Sequence, residues 1–292
     1  MIREMRESLI DSNPTLEEQR ATSEGFAMLT AEPAVAVAVE LVDAGGVPAQ
    51  WLVPQGAATD RVLLYLHGGG YVVGSMHSHR KLASHIAAAI GCRALNVDYR
   101  LAPEHPHPAA VTDAVTVYRW LLDQGVQPAH IVVSGDSAGG GLTLALLVAL
   151  AQQGIAQPAL AVPLSPWAEL EGNGETAVSN AEVDMMVSMT ALKTMADAFL
   201  GGGDPRDPLA APVYADLRGI SPLYIQVGGH ETLLDNATRI ASRAAAAGVD
   251  VRLDVFPEMQ HVFQIAAGNI PEADDAIARI AAHARPRLGL TA

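Results

Sequence analysis

Apolar residues fall in short β-branched runs separated by longer stretches at helical spacing, and that rhythm predicts most of the chain. Val35-Ala36-Val37-Ala38-Val39-Glu40-Leu41-Val42 alternates, Gly45-Gly46 supplies a turn, and Pro48 to Pro54 forms a second run. Together they predict an antiparallel hairpin at a sheet edge. From residue 61 the pattern becomes strand, helix, strand. Strands are expected at 61–66, 92–97, 130–134, 159–164, 222–227 and 251–255, with helices at 78–90, 108–123, 138–153, 233–247 and 272–287. Residues 1 to about 30 are polar and helix-prone, and Thr15-Leu16-Glu17-Glu18 reads as a helix start. Strands alternating with helices predict an α/β fold, a mostly parallel central sheet with helices on both faces. Sites on such sheets lie at the carboxyl ends of the strands.

Residues 167–215 break the alternation. They contain Gly172-Asn173-Gly174, then Asp184-Met185-Met186-Val187-Ser188-Met189 leading into an amphipathic helix to Leu200, then Gly201-Gly202-Gly203-Asp204-Pro205. An insertion between two core strands on the site side predicts a lid. Its methionines serve either as an adaptable apolar wall or as packing beneath the insertion. The expected organisation is a single domain over residues 1–292, with helical cap elements from about 1–35 and 167–215.

Composition narrows the classes. Hydrophobic residues make up 50% of the chain and charged ones 17%, enough apolar material for a large core and an apolar mouth. A net charge of −14 disfavours nucleic acid and anionic lipid surfaces as partners. The single cysteine, Cys92, rules out an intrachain disulfide and zinc sites built on cysteine pairs, and its apolar context marks it as a core residue. Met1-Ile2-Arg3-Glu4-Met5-Arg6-Glu7 mixes charges without an apolar leader, and the apolar stretch Gly141 to Ala151 is too short for a bilayer. A cytoplasmic protein without membrane anchoring is expected.

Candidate chemistry sits in two glycine motifs. Gly135-Asp136-Ser137-Ala138-Gly139-Gly140 follows the strand run His130 to Ser134 and opens a long apolar helix. A G-x-S-x-G in that setting holds its serine on a strained strand-to-helix elbow, where side chains at the flanking glycines would meet the neighbouring strand or the turn. His67-Gly68-Gly69-Gly70-Tyr71 follows the strand at 61–66 and leaves backbone amides unshielded, as an oxyanion hole requires. No Lys-Ser or Lys-Thr follows and no G-x-G-x-x-G opens a helix, so a phosphate loop is disfavoured. His77/His79 and His105/His107 form H-x-H pairs, but nothing nearby completes a ligand set; neither a metal nor a cofactor is expected.

A nucleophilic serine needs a base, normally a histidine oriented by a carboxylate, and after a serine elbow the acid precedes the histidine in the chain. His230, His261 and His283 follow Ser137. His261 lies in a loop after the last strand and suits the base. His283 falls late in the last helix, as a solvated residue, and His230 precedes any suitable acid. Glu231, a few residues past the strand at 222–227, suits the acid; Asp235, about one helical turn on, is the fallback and otherwise a helix-start carboxylate.

These motifs, with Asp98-Tyr99-Arg100-Leu101-Ala102-Pro103-Glu104-His105-Pro106 between them, stand in the order of the bacterial hormone-sensitive-lipase-like (family IV) esterases, which the chain resembles over about residues 60–265. The resemblance implies an α/β-hydrolase core with a helical cap, Ser137 as nucleophile, His261 as base, and the amides of Gly69, Gly70 and Ala138 as the oxyanion hole. His67, Gly68 and Asp136 would organise the loops. Many members carry Asp-Pro-Leu at the acid position, where this chain has Glu231-Thr232-Leu233. Asp98, Arg100 and Glu104 are expected to form a buried polar network beneath the glycines. Tyr71, Trp167, Met185 and Met186 are expected to shape the substrate pocket. The expected activity is carboxylesterase action on short to medium acyl esters. Lactone hydrolysis, amide hydrolysis with the same triad, and a non-catalytic binding role are the alternatives. The strand at 251–255 is a candidate edge for a homodimer.

Overall fold

The computed structural model describes residues 14–291; the part of the expected N-terminal cap element at 1–13 lies outside the described residues. Thr15 opens helix α1 (Leu16–Glu24). Its hydroxyl accepts from the Glu18 amide while the Glu18 carboxylate accepts from the Thr15 amide, a capping box that satisfies donors the first turn leaves open. Arg20 ties the helix to the core, donating to the Val72 and Ala102 carbonyls and pairing with Glu104.

Eight strands follow: β1 (Val37–Asp43), β2 (Pro48–Pro54), β3 (Ala58–Leu66), β4 (Cys92–Val97), β5 (Ile131–Asp136), β6 (Leu160–Leu164), β7 (Leu223–Gly228) and β8 (Val251–Phe256). They form one sheet in the order β1-β2-β4-β3-β5-β6-β7-β8. The β1–β2 hairpin joins β4 antiparallel, and all remaining pairings are parallel. The helices between them are α2 (Arg80–Ile90), α3 (Ala109–Asp123), α4 (Ala138–Gln152), α5 (Thr176–Ser179), α6 (Met189–Leu200) and α7 (Leu234–Ala246), and α8 (Pro271–Arg287) follows the last strand. The elements predicted from periodicity are therefore present, with ends shifted by a few residues.

Both faces of the sheet are covered. Val62, Leu64 and Leu66 of β3 pack with α3 and α4, while Leu63 and Tyr65 pack with α2 and α8. A strand buried on both sides reads as a continuous apolar run for that reason. Helix α4 is buried without a break from Ala138 to Leu150, lodged between the sheet, α3 and the residues after β6. Cys92 is fully buried at the start of β4, and burial pushes its thiol up to about 12. Among the described residues no helix is long and apolar enough to cross a membrane.

Two features position the site. Leu66 is in register with Gly135, and Asp136 with Leu164, so β3, β5 and β6 end side by side. Residues 165–222 then leave the sheet between β6 and β7, carrying α5, α6 and a short turn at Pro212–Tyr214. Regular helix starts only at Met189, because Asp184 Oδ1 accepts the amides of Met186 and Val187 and holds a turn there.

Candidate active site

Ser137 is the single residue between β5 and α4, at φ 54° and ψ −119°. Its amide donates to the Leu164 carbonyl at 2.9 Å, and its own carbonyl accepts the amides of Gly141 and Trp167 at 3.0 and 2.8 Å. A Cβ on Gly135 or Gly139 would run into the Leu66 carbonyl of the adjacent strand. The glycines of the motif are thus what let the elbow sit against β3.

The loop after β3 turns back through left-handed backbone at Gly69 (φ 112°), Gly70 (φ 62°) and Tyr71 (φ 62°). The Gly69 carbonyl accepts from Val72 and Val73. Among the described residues the Gly69 and Gly70 amides donate no hydrogen bond, and the Ala138 amide stands at the first helical position, where no intrahelical acceptor exists. Asp136 anchors the loop: its Oδ1 accepts the Gly68 amide at 3.2 Å and the Tyr65 hydroxyl at 2.7 Å. His67 stacks on Tyr99 at 4.3 Å between ring centres, and Tyr99 donates to the His67 carbonyl. Burial, with the charge of nearby His79, lowers His67 to about 4. On the outer side, a Cβ on Gly70 would strike the thioether of Met195, so α6 packs directly on this loop.

Glu231 follows β7 and His261 follows β8, and the fold brings them together with His261 Nδ1 2.9 Å from Glu231 Oε2. The Glu231 side chain is fully buried. Its other oxygen accepts from Ser165 Oγ at 2.7 Å and from the Gly228 amide. Ser165, itself left-handed at φ 45°, also takes the Val262 amide at 3.2 Å, so one hydroxyl ties the acid loop to the histidine loop. Burial drives the Glu231 carboxyl upward against the pull of His261 and its hydrogen bonds. For His261 burial favours the neutral ring, but the Glu231 charge and hydrogen bond outweigh it and hold the imidazole above its ordinary range.

Asp235 lies in the first turn of α7 and pairs with Arg239 at 3.8 Å rather than with a histidine. His283 is not the solvated residue expected of it: it is half-buried against the Tyr224 ring, 4.8 Å between centres. The anticipated buried network of Asp98, Arg100 and Glu104 is likewise corrected. Arg100 forks onto Asp113, Glu104 pairs with Arg20, and Asp98 accepts the Met76 amide. The Arg100 and Glu104 side chains are 46% and 50% exposed, because each reaches outward to a partner on another element. Neither H-x-H pair acts as a unit: His79 contacts Asp136, and His107 faces Asp207 at 3.5 Å. Among the described residues no cluster of three potential metal ligands occurs.

Of the pocket residues, Trp167 lines a cavity of about 740 Å³ with Leu170, Leu192 and Leu233; Ser137 and His261 are not in its lining. Tyr71 is buried and stacked on Phe199 at 3.8 Å. Met186 packs against the main core cluster, and Met185 offers its amide to Gln260 Oε1 at 2.7 Å. That contact belongs to a clip that sequence reading missed. Asp184 Oδ2 accepts both the amide and the hydroxyl of Thr232, Asn180 donates to the Gly229 and Glu231 carbonyls, and Gln260 also donates to Val183. The residues after β6 therefore grip both the acid and the histidine loops.

A mostly parallel sheet, a serine elbow and a buried carboxylate–histidine pair define a class, and a family model described as the alpha/beta hydrolase fold matches residues 63–265. The chain belongs to that family. An acetyl-hydrolase of Streptomyces hygroscopicus is 43% identical over 251 residues, 86% of this chain and 83% of its own. An esterase of Acinetobacter venetianus is 35% identical over 246 residues, 84% and 81% of the two chains. The crystal structure of an esterase from the bacterial hormone-sensitive lipase (HSL) family matches with a TM-score of 0.95 at 48% identity, covering 99% of this chain and 96% of that one. Within the α/β-hydrolases the chain is one of the hormone-sensitive-lipase-like esterases.

Proposed function

We propose that Ser137, His261 and Glu231 form the catalytic triad of this carboxylic-ester hydrolase. The observation that carries the reading is the buried Glu231–His261 contact of 2.9 Å between the loops after β7 and β8. With Nδ1 donating to the carboxylate, Nε2 of the neutral ring is an acceptor, the tautomer a general base needs. His261 takes the Ser137 proton as the hydroxyl oxygen attacks the ester carbonyl. Negative charge gathers on the former carbonyl oxygen, where the amides of Gly69, Gly70 and Ala138 donate. The tetrahedral intermediate collapses, His261 returns the proton to the departing alcohol, and the acyl group stays on Ser137. Water, deprotonated by the same imidazole, then releases the acid.

The substrates are small-molecule esters, and short to medium acyl chains are the proposed range. Residues 14–35 and 167–215 act as the cap, with Tyr71, Trp167, Met185 and Met186 shaping the pocket. Hydrolysis of p-nitrophenyl esters from acetate to palmitate, alongside a simple lactone, tests the reading. Turnover should peak at short to medium chains and vanish in Ser137→Ala. Activity retained by that variant refutes the triad, and faster lactone opening reassigns the substrate.

The molecule is also proposed to form a two-fold dimer through β8. Among the described residues that strand pairs only with β7 and ends the sheet, and Val255 is 42% exposed on it. Pairing with a copy of itself would cover the open edge. Light scattering should give twice the chain mass, and a monomer at working concentration removes the proposal.

A further inference from the structure

The sequence marks His79 only as half of an H-x-H pair, and the mechanism does not use it. It is buried beneath the glycine loop with Nε2 3.2 Å from Asp136 Oδ2, and both side chains are 3% exposed. Its Nδ1 lies 2.9 Å from Ser78 Oγ. That hydroxyl already commits its proton to the Ser75 carbonyl at 3.0 Å and accepts the Ser75 amide at 2.9 Å. With that proton on Ser75, Ser78 Oγ is placed to accept from Nδ1 and the carboxylate from Nε2. An arrangement in which both ring nitrogens donate is that of an imidazolium. The direction of its titration agrees: burial alone would favour the neutral ring, but the Asp136 charge and hydrogen bond, a backbone bond to Ser75 and the more distant Glu24 hold it above the ordinary histidine range. Its neighbour His67, ring centres 5.6 Å away, stays neutral.

Asp136 immediately precedes Ser137, and its Oδ1 holds the Gly68 amide next to those of Gly69 and Gly70, two of the three amides assigned to the oxyanion. A carboxylate there is a mechanical anchor and an electrostatic liability. Uncompensated in a dry site, its negative charge would oppose the negative charge that builds on the substrate oxygen. We propose that His79 is a positioning residue of the ester hydrolysis: as a buried cation on Asp136 Oδ2, it cancels the charge of the aspartate that anchors the oxyanion loop. This rests on the assignment of Ser137 and the glycine amides made above. The pair lets the loop be fastened by a charged hydrogen bond at Gly68 while presenting the oxyanion with a net neutral cluster.

The test is a double-mutant cycle of His79→Gln, Asp136→Asn and the pair, using p-nitrophenyl butyrate and active sites counted by phosphonate labelling. His79→Gln keeps a hydrogen-bond donor but loses the charge. It should lower kcat per labelled site about 10- to 100-fold with KM within about twofold. Adding Asp136→Asn removes the carboxylate that needed cancelling, so the double variant should recover to within about threefold of Asp136→Asn alone. A His79→Gln enzyme with kcat within twofold of wild type overturns the proposal, as does a double variant carrying the product of the two single losses. If His79→Gln does not fold, the charge-free double variant should, and its failure to fold assigns His79 to packing instead. Wild type that takes no phosphonate label, or Ser137→Ala that still turns over, is failure of the triad itself and is read separately.

Discussion

Ser137 sits where side-chain-bearing residues rarely do, and such a conformation costs on the order of 1–3 kcal/mol. The surrounding bonds maintain it: its amide is held by β6 and its carbonyl by two amides. Glu231 gives the sharpest prediction at this scale. A general base works only when neutral, so the role proposed for His261 requires kcat/KM to rise with pH through its titration, which Glu231 holds above the ordinary value of 6.5 despite burial. Glu231→Gln removes the largest raising influence, leaving only the more distant Asp184 and Asp136 against the burial that lowers, so the acid limb should move to lower pH. Activity should fall about 10²- to 10⁴-fold. A limb that stays put in the variant would separate Glu231 from His261. A second prediction concerns Gly139. Gly139→Ala would press a methyl group onto the Leu66 and His67 carbonyls, and soluble, active enzyme from that variant would contradict the close approach described. The contact between Glu231 and His261 was legible because a loop carboxylate just past a predicted strand precedes the loop histidine. Ser165 was not, since its role rests on a positive φ and on partners 66 and 97 residues away.

Among the elements, strands and helices were readable in advance because each obeys a local period that the sheet and its covering helices impose. The region after β6 was readable as an interruption holding a helix that ends at Leu200, which α6 matches, but not in its contacts. Its contacts run from Asp184 to Thr232 and from Met185 to Gln260, 48 and 75 residues apart, and no local pattern announces them. The network of Asp98, Arg100 and Glu104 failed for the same reason: a charged segment names its own residues, not the arginine or aspartate waiting on another helix. Asp184→Ala should strip acceptors from the buried Thr232 amide and hydroxyl and loosen the acid loop. The expected costs are about 2–4 kcal/mol of stability and roughly tenfold in kcat. Urea unfolding and initial rates measure both, and a stable variant with wild-type kcat would detach the clip from the chemistry.

For the whole molecule, 32 acidic against 18 basic residues set the terms of association. Two copies meeting at β8 would each bring a net charge of −14, and that repulsion is screened by salt while the strand-to-strand hydrogen bonds are not. The dimer dissociation constant should therefore fall between about 10 mM and 150 mM salt. Sedimentation at the two salts checks it, and weaker association at the higher salt would point to an interface held by ion pairs instead.

The grip of residues 180–187 on the acid and histidine loops also bears on how such enzymes can be recombined. An insertion that merely hung over the sheet could be exchanged between relatives as a cassette, carrying selectivity with it and leaving catalysis behind. Here the heritable unit is larger. A chimaera taking a foreign segment for 167–215 would need the matching 229–235 and Gln260 from the same parent, or the transplanted roof would no longer hold the acid in place.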